Sequence, residues 1–282
     1  MILLIIFFIY LLLYPSSALS TGLYPYSKRL NNGYFILVSD TDITFTDSTL
    51  TEVKNKKDIS VTLDEDNIGS TTVSQFPNED SGYVLVILLQ TLYIFSSNGN
   101  YLAQTGTSIS NPKFTSFIMT KGHSNNEFYF TLIFGDCPNG DSTDTIIFQD
   151  GYYDSSSNQI QFPYSSQHQY KPFLPDTEKF YCMISCQEMI KDNQKYITCI
   201  YGNYNKLCVS SINLNNYENV TTLTAANEKV QYIKSAVLGE EKEKSMVCAY
   251  TVNTDLVCYS YDISTNTLTT IKCYNNNDKC GN

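Results

Sequence analysis

The chain has 282 residues, of which 42% are hydrophobic, and it carries a formal net charge of −10. No basic run occurs anywhere, so the charge argues against nucleic acid and anionic membrane surfaces as partners. The length allows one large domain or two small ones.

The amino terminus has the pattern of a secretory signal. An apolar run from Met1 to Leu13 ends at Tyr14-Pro15 and is followed by small residues up to Ser20. The run is shorter than the roughly 20 residues that a membrane-spanning helix needs. We therefore predict that residues 1–20 are a cleaved signal peptide and that the mature chain is secreted, extracellular and without a membrane span. An uncleaved membrane anchor is the alternative.

The rest of the chain is a succession of short strand-like runs separated by clusters of Asn, Asp, Gly and Ser. A block that begins at Gly33–Val38 is matched by another at Gly82–Ile87, 49 residues later. Similar blocks begin near Phe128, Tyr196 and Met246. Each contains three predicted strands, and the later blocks are each preceded by a further strand, at residues 73–76, 115–119, 180–184 and 232–237.

Four antiparallel strands every 45–50 residues is the spacing of a β-propeller blade. Over residues 21–272 the chain resembles extracellular β-propeller repeat proteins. It has no Trp-Asp dipeptide, kelch double glycine or Asp-box, so the resemblance is to the fold and names no specific family. The resemblance implies an all-β propeller of about five four-stranded blades, complete or incomplete. Residues 273–282 are then a short Asn-rich tail, and tandem β-sandwiches are the alternative fold.

Two segments depart from the repeat. The interval between the third and fourth blocks is longer than the others, and we assign the excess to an insertion at residues 151–179. The best helical candidate in the chain is Gln187–Lys191, which is one turn at most.

The chain contains nine cysteines, and in an exported protein these are mostly disulfides. Cys199 and Cys208 flank one hairpin, and Cys248 and Cys258 flank the corresponding hairpin of the next block. Directly opposed residues on antiparallel strands lie within disulfide range, so both pairs are predicted disulfides.

The other cysteines leave several arrangements open. Cys273 and Cys280 can close a short loop at the carboxyl terminus, and Cys137 is the candidate for the odd thiol or for a disulfide between chains. Alternatively, the hairpin cysteines pair with neighbouring strands, for example with Cys182 or Cys273, or are buried as small apolar residues.

Residues for catalysis or metal binding are scarce. The only histidines, His123 and His168, fall in polar sequence that we predict to be exposed loops, and no Gly-x-Ser-x-Gly motif occurs. The acidic stretches Asp64–Gly69 and Asp136–Asp144 are predicted to be solvated turns. Carboxylates in general are expected in the connecting turns, where solvent reaches them and their pKa values change little. We therefore predict no catalytic residue, no metal site and no cofactor.

The sequence favours a non-enzymatic binding or adhesion module that recognises an extracellular protein or glycan through loops on one propeller face. A propeller glycoside hydrolase with paired carboxylates is the first alternative. A structural component of an extracellular coat or matrix, joined through the odd cysteine, is the second. Asn219-Val220-Thr221 is a candidate N-glycosylation site.

Overall fold

The computed structural model describes residues 26–39, 41–59, 71–76, 82–107, 114–136, 145–163, 167–170, 180–203, 206–213, 215, 219–226, 230–238, 241–251 and 256–274. Within these ranges every regular element is a β-strand, and the strands form five antiparallel sheets. The predicted all-β fold is confirmed, and each sheet corresponds to one of the predicted blades.

Blade 1 forms one of the two compact units of the chain. Its strands are β1 (Tyr26–Arg29), β2 (Phe35–Val38), β3 (Asp42–Thr46) and β4 (Val53–Asp58), and they pair in that order. One face is apolar, because Ile36 lies opposite Phe45 and Val38 lies opposite Ile43. All four of these side chains are buried.

The second unit contains blades 2 to 5. Blade 2 consists of β5 (Thr72–Gln75), β6 (Tyr83–Leu88), β7 (Thr91–Ser96) and β8 (Tyr101–Gly106). Blade 3 consists of β9 (Phe114–Ser124), β10 (Glu127–Asp136), β11 (Thr145–Asp154) and β12 (Gln159–Gln161), and β13 (Gln167–Tyr170) also pairs with β11. Blade 4 consists of β14 (Phe180–Lys191), β15 (Gln194–Asn203), β16 (Lys206–Asn213) and β17 (Asn219–Ala226). Blade 5 consists of β18 (Val230–Leu238), β19 (Lys244–Thr251), β20 (Leu256–Asp262) and β21 (Thr267–Tyr274).

Consecutive blades of the second unit pack face to face. Their first strands are in contact in the order β5, β9, β14 and β18, and one apolar cluster fills each of the three junctions. A blade between two neighbours buries both faces, so its central strands carry continuous apolar runs rather than an alternation. Blade 3 has a neighbour on each side in this unit, and in its β10 the apolar residues Phe130, Leu132, Ile133 and Phe134 are all fully buried.

The blade 2–blade 3 junction shows how the register assembles a core. Leu85 and Ile87 of β6 and Ile94 of β7 contribute from blade 2. Phe130 and Leu132 of β10 contribute from blade 3, and all five side chains are fully buried. Removing apolar surface from water contributes about 25 cal/mol per Å², so burial of these side chains stabilises the packing of blade 2 on blade 3.

The structure corrects two predicted segments. Residues 151–179 are not simply an insertion, because β11 continues to Asp154 and β12 and β13 follow it. The predicted helical turn at Gln187–Lys191 is wrong, since these residues extend β14. Every one of them from Gln187 to Lys191 is paired with β15, and this long-range pairing overrides a weak local helical preference.

One turn sequence occurs twice, between the third and fourth strands of blades 3 and 5. In blade 3 the turn runs from Tyr153-Asp154 to Asn158, and the Tyr153 hydroxyl donates to Asn158 Oδ1 at 2.6 Å. In blade 5 the corresponding turn runs from Tyr261-Asp262 to Asn266. Both asparagines have a positive φ, 54° and 53°, which Asn tolerates better than most residues.

Hydrogen bonds to the turn carboxylates lower their pKa values. Hydrogen bonds from the Ser156 and Ser157 hydroxyls and from the Ser156 backbone bring the pKa of Asp154 from 3.8 to about 2. At Asp47 in blade 1, desolvation acts to raise the pKa. Hydrogen bonds from Thr51, Thr49 and Glu52 outweigh this effect and lower the pKa of Asp47 to about 2. The prediction that turn carboxyl pKa values change little is therefore wrong for these two groups.

These shifts predict a specific loss of stability in acid. A carboxyl whose pKa is lower in the folded than in the unfolded chain stabilises the fold above the unfolded value and loses that contribution as the pH falls. For Asp154 the loss should run from about pH 4 down to about pH 2. We expect Asp154→Asn to flatten the fall of the urea midpoint across this window. Asp192→Asn, at an exposed carboxyl in another hairpin turn, serves as the control, and equal flattening by both variants would contradict the assignment.

Candidate functional site

A β-bulge near the end of β9 places a lysine over the face of blade 3. Tyr129 pairs with Gly122 and Phe130 pairs with Thr120, so Lys121 is the extra residue between the two pairs. Gly122 has a φ of +112°, a conformation that glycine adopts without the steric cost of a Cβ. Bulges commonly redirect a side chain in this way.

The redirected lysine is held by an acid on β11. Lys121 Nζ lies 2.6 Å from Asp150 Oδ1, and both side chains are about 30% exposed. The Thr131 hydroxyl also donates to Asp150, which lies directly across from it on β11. Two donors thus fix the carboxylate, and the carboxylate in turn fixes the position of the ammonium group.

Two tyrosines lie beside this ion pair on the same face. Tyr129 and Tyr152 are opposed across β10 and β11, with ring centroids 5.8 Å apart and planes inclined at 48°. The Tyr129 hydroxyl donates to Glu127, and this hydrogen bond raises the pKa of Tyr129. The Tyr152 hydroxyl donates to Gln161 Oε1 at 2.9 Å. Both rings are partly exposed and anchored at their hydroxyl ends.

A depression of about 290 Å³ opens at this position. Its lining residues are Lys121, Gly122, His123, Tyr129, Phe130, Asp150 and Gly151. The exposed His123 ring stacks on Phe128, with centroids 5.4 Å apart and an interplanar angle of 21°. We define the blade 3 surface as the five polar and aromatic side chains Lys121, Glu127, Tyr129, Asp150 and Tyr152.

Gly151, which lines this depression, is tightly packed against two phenylalanine rings. A Cβ added there would lie 2.8 Å from the Phe162 ring and 2.9 Å from the fully buried Phe130 ring. We expect Gly151→Ala to lower the free energy of unfolding by about 1–3 kcal/mol, the usual cost of overpacking. Gly106→Ala is the matched control, because nothing lies within 4 Å of its added Cβ. Urea denaturation of both variants measures the difference, and equal stabilities would contradict this packing.

Two disulfides form in the described part of the chain. Cys186 bonds to Cys199 and Cys248 bonds to Cys258, and in both pairs the Cα atoms are 4.1 Å apart. The second pair is the one that the hairpin spacing predicted. The prediction that Cys199 pairs with Cys208 is wrong, because Cys208 lies opposite Tyr201 rather than Cys199. The hairpin is centred one residue later than expected, which moves the register by two residues.

Several predicted residues remain untested. Cys137, Cys280 and the acidic segment Asp64–Gly69 lie outside the described residues. Cys273 falls within β21, and Asn219 begins β17, opposite Ile212. The glycosylation of Asn219 and the pairing of Cys273 with Cys280 stay predictions.

The two histidines and the first strand of blade 4 differ from the sequence prediction. His123 and His168 lie in strands β9 and β13, not in loops. The first strand of blade 4 was expected to end at Ile184, and the longer β14 includes Glu188. Glu188 accepts ion pairs from Lys242 at 2.7 Å and from Lys195 at 3.5 Å. This carboxylate therefore joins the blade 5 turn to blade 4.

The described residues contain no group of three or more His, Cys, Asp or Glu side chains arranged to hold a metal ion. In the same part of the chain, no helix has the length and hydrophobicity needed to cross a bilayer.

Sequence reasoning missed the blade 3 surface. A glycine inside a strand-like run is a recognised signal of a bulge, so Gly122 pointed to one. The contacts of Lys121 with Asp150 and of Tyr129 with Tyr152 depend on the register of three strands, which local sequence does not fix.

Comparisons with known proteins place the fold. No protein-family model matches the sequence, and no curated protein matches it. Among solved structures, a chain of Kuenenia stuttgartiensis hydrazine synthase superposes with a TM-score of 0.55 at 9% identity, over 85% of this chain and 62% of that one. The Dos1 propeller gives a TM-score of 0.51 at 11% identity, over 86% of this chain and 57% of that one. The β-propeller domain of Myceliophteria thermophila Cps50 (Swd1) gives a TM-score of 0.51 at 12% identity, over 89% of this chain and 70% of that one.

At these identities the likeness is one of fold alone. This chain spans 62% and 57% of the first two structures, so their activities and partners do not transfer to it. The repeated four-stranded sheets and these matches agree on one architecture. The chain has a β-propeller fold, without assignment to a specific family.

Proposed function

We propose that this chain is an exported, non-enzymatic binding or adhesion module that holds an extracellular protein or glycan on the blade 3 surface. The observation that carries the proposal is the bulge at Lys121–Gly122. It places a lysine 2.6 Å from a fixed carboxylate, beside a pair of partly exposed tyrosines.

The arrangement suits non-covalent recognition because its groups are already ordered. Lys121, Tyr129, Asp150 and Tyr152 all belong to paired strands, and each is restrained by a contact within blade 3. A preorganised site loses less conformational entropy on binding. Tyrosine also supplies a large contact area with few rotatable bonds. The proposed site therefore lies on strands, whereas the sequence favoured loops.

Export is the second part of the proposal. The disulfides Cys186–Cys199 and Cys248–Cys258 fit an oxidising compartment. The signal peptide predicted at residues 1–20 supports the same location.

A binding screen tests the proposal. Protein secreted from a eukaryotic host would be applied to an array of purified extracellular proteins and glycans. We expect binding to at least one component and a loss of about tenfold or more for Tyr129→Ala. Tyr101→Ala in β8, a residue 41% exposed on blade 2, is the matched control and should bind like the parent protein. Absence of binding to every component, or equal binding by all variants, would reject the proposal.

An activity assay on the same secreted protein distinguishes a binding module from a glycoside hydrolase. We expect no turnover of chromogenic glycosides. Turnover that disappears in Asp150→Asn or Glu127→Gln would favour the glycoside hydrolase alternative instead.

A further inference from the structure

The blade 3 surface has more acidic than basic side chains. Lys121 is paired with Asp150, and Glu127 accepts the Tyr129 hydroxyl. The surface thus holds one lysine and two acidic residues, on a chain whose formal net charge is −10. Sulfate, phosphate or sialic acid groups would meet a repulsive field here, because the lysine is already neutralised.

The size of the depression argues for a small ligand. Its volume of about 290 Å³ lies just below the roughly 300–1,000 Å³ typical of small-molecule sites. A stable protein–protein contact buries about 800 Å² on each partner, which a depression of this size does not supply by itself.

The side chains offer two kinds of contact at once. Tyr129 lines the depression, and the Tyr152 ring lies beside it with its centroid 5.8 Å from that of Tyr129. Both rings are partly exposed, so the apolar C–H face of a ligand can pack against their negatively polarised faces. Beside the rings, Lys121 donates hydrogen bonds while Asp150 and Glu127 accept them. A hydroxyl group is both a donor and an acceptor, so adjacent hydroxyls can satisfy all three side chains.

Neutral sugars combine these properties, since a pyranose ring has an apolar face and a rim of hydroxyls. We infer that the ligand of the blade 3 surface is a neutral saccharide, stacked on Tyr129 and Tyr152 and hydrogen-bonded to Lys121, Asp150 and Glu127. This inference rests on the proposed function and names its ligand class.

Titration calorimetry with the secreted protein tests the inference. The probes are the neutral sugars chitotriose, mannotriose and lactose, and the anionic sugars 3′-sialyllactose and a heparin tetrasaccharide. We expect at least one neutral probe to bind, and every anionic probe to bind at least about tenfold more weakly.

Variants locate the binding. Tyr129→Ala and Asp150→Asn should each weaken neutral-sugar binding about tenfold or more, whereas Tyr101→Ala should leave it unchanged. Lys121→Met keeps the aliphatic stem and removes the ammonium group, so it provides a second readout if Tyr129→Ala does not fold. Circular dichroism and the urea midpoint establish that each variant is folded.

The outcomes distinguish the inference from the proposed function. Failure of all neutral probes, tighter binding of an anionic probe, or binding that is unchanged in every blade 3 variant would overturn the inference. If all sugars fail but a protein on the array binds in a Tyr129-dependent way, the binding module stands and the saccharide does not. If neither kind of ligand binds, both proposals fail.

Discussion

Replacing Cys186 and Cys199 together by alanine is expected to lower the free energy of unfolding by about 3 kcal/mol. The two residues are 13 positions apart, and in the chain-entropy model a cross-link closing a loop of about 15 residues contributes about this amount. Both cysteines also lie in the apolar cluster between blades 3 and 4, so the effect includes some loss of packing. Urea denaturation of the oxidised parent and the double variant measures it.

Peptide mapping without reduction checks the pairing itself. We expect Cys186 linked to Cys199 and Cys248 linked to Cys258. Recovery of Cys199 linked to Cys208 would contradict the register of blade 4 and restore the pairing that the hairpin spacing suggested.

Met189→Ala should destabilise the protein by about 2–5 kcal/mol, the usual cost of truncating a fully buried methionine. Met189 is 0% exposed and lies in the apolar cluster between blades 4 and 5. Met246→Ala is the matched control, because Met246 is 37% exposed on the opposite face of blade 5 and should cost less than about 1 kcal/mol. Equal losses of stability for the two variants would mean that blade 5 does not pack on blade 4 through the face described.

The repeat could be predicted because each blade is encoded locally. Strands that begin blocks, such as β6 at Tyr83–Leu88 and β10 at Glu127–Asp136, carry runs rich in β-branched and aromatic residues. The spacing of the runs then favours a propeller over tandem β-sandwiches, since sequential antiparallel strands join through short turns.

The cysteine pairing shows where local reading fails. A hairpin centred one residue away from the expected position leaves Cys208 opposite Tyr201. Cys199 meets Cys186 through a separate register, that of β14 and β15. Residues at the end of β14 were misread for a related reason, because Gln187 and Glu188 favour a strand only once β15 is beside them. The pKa values of the turn carboxylates were misjudged because the hydrogen bonds that lower them form only in the folded turn. At Asp154 these bonds come from Ser156 and Ser157.

The blade 3 surface depends on contacts that no short stretch of sequence contains. Lys121 and Asp150 are 29 residues apart, and they meet only because the bulge and the β10–β11 register coincide. Gly122 was the one local sequence feature that indicated the bulge.

Hydroxyl-radical footprinting tests the central claim most directly. The secreted protein would be oxidised alone and with the array component that binds it most strongly, and modification of each tyrosine would be measured by mass spectrometry. If the blade 3 surface is the binding site, the ligand should protect Tyr129 and Tyr152 and leave Tyr101 on blade 2 as reactive as before. Protection of Tyr101, with Tyr129 and Tyr152 unchanged, would contradict the account and move the binding site to another blade.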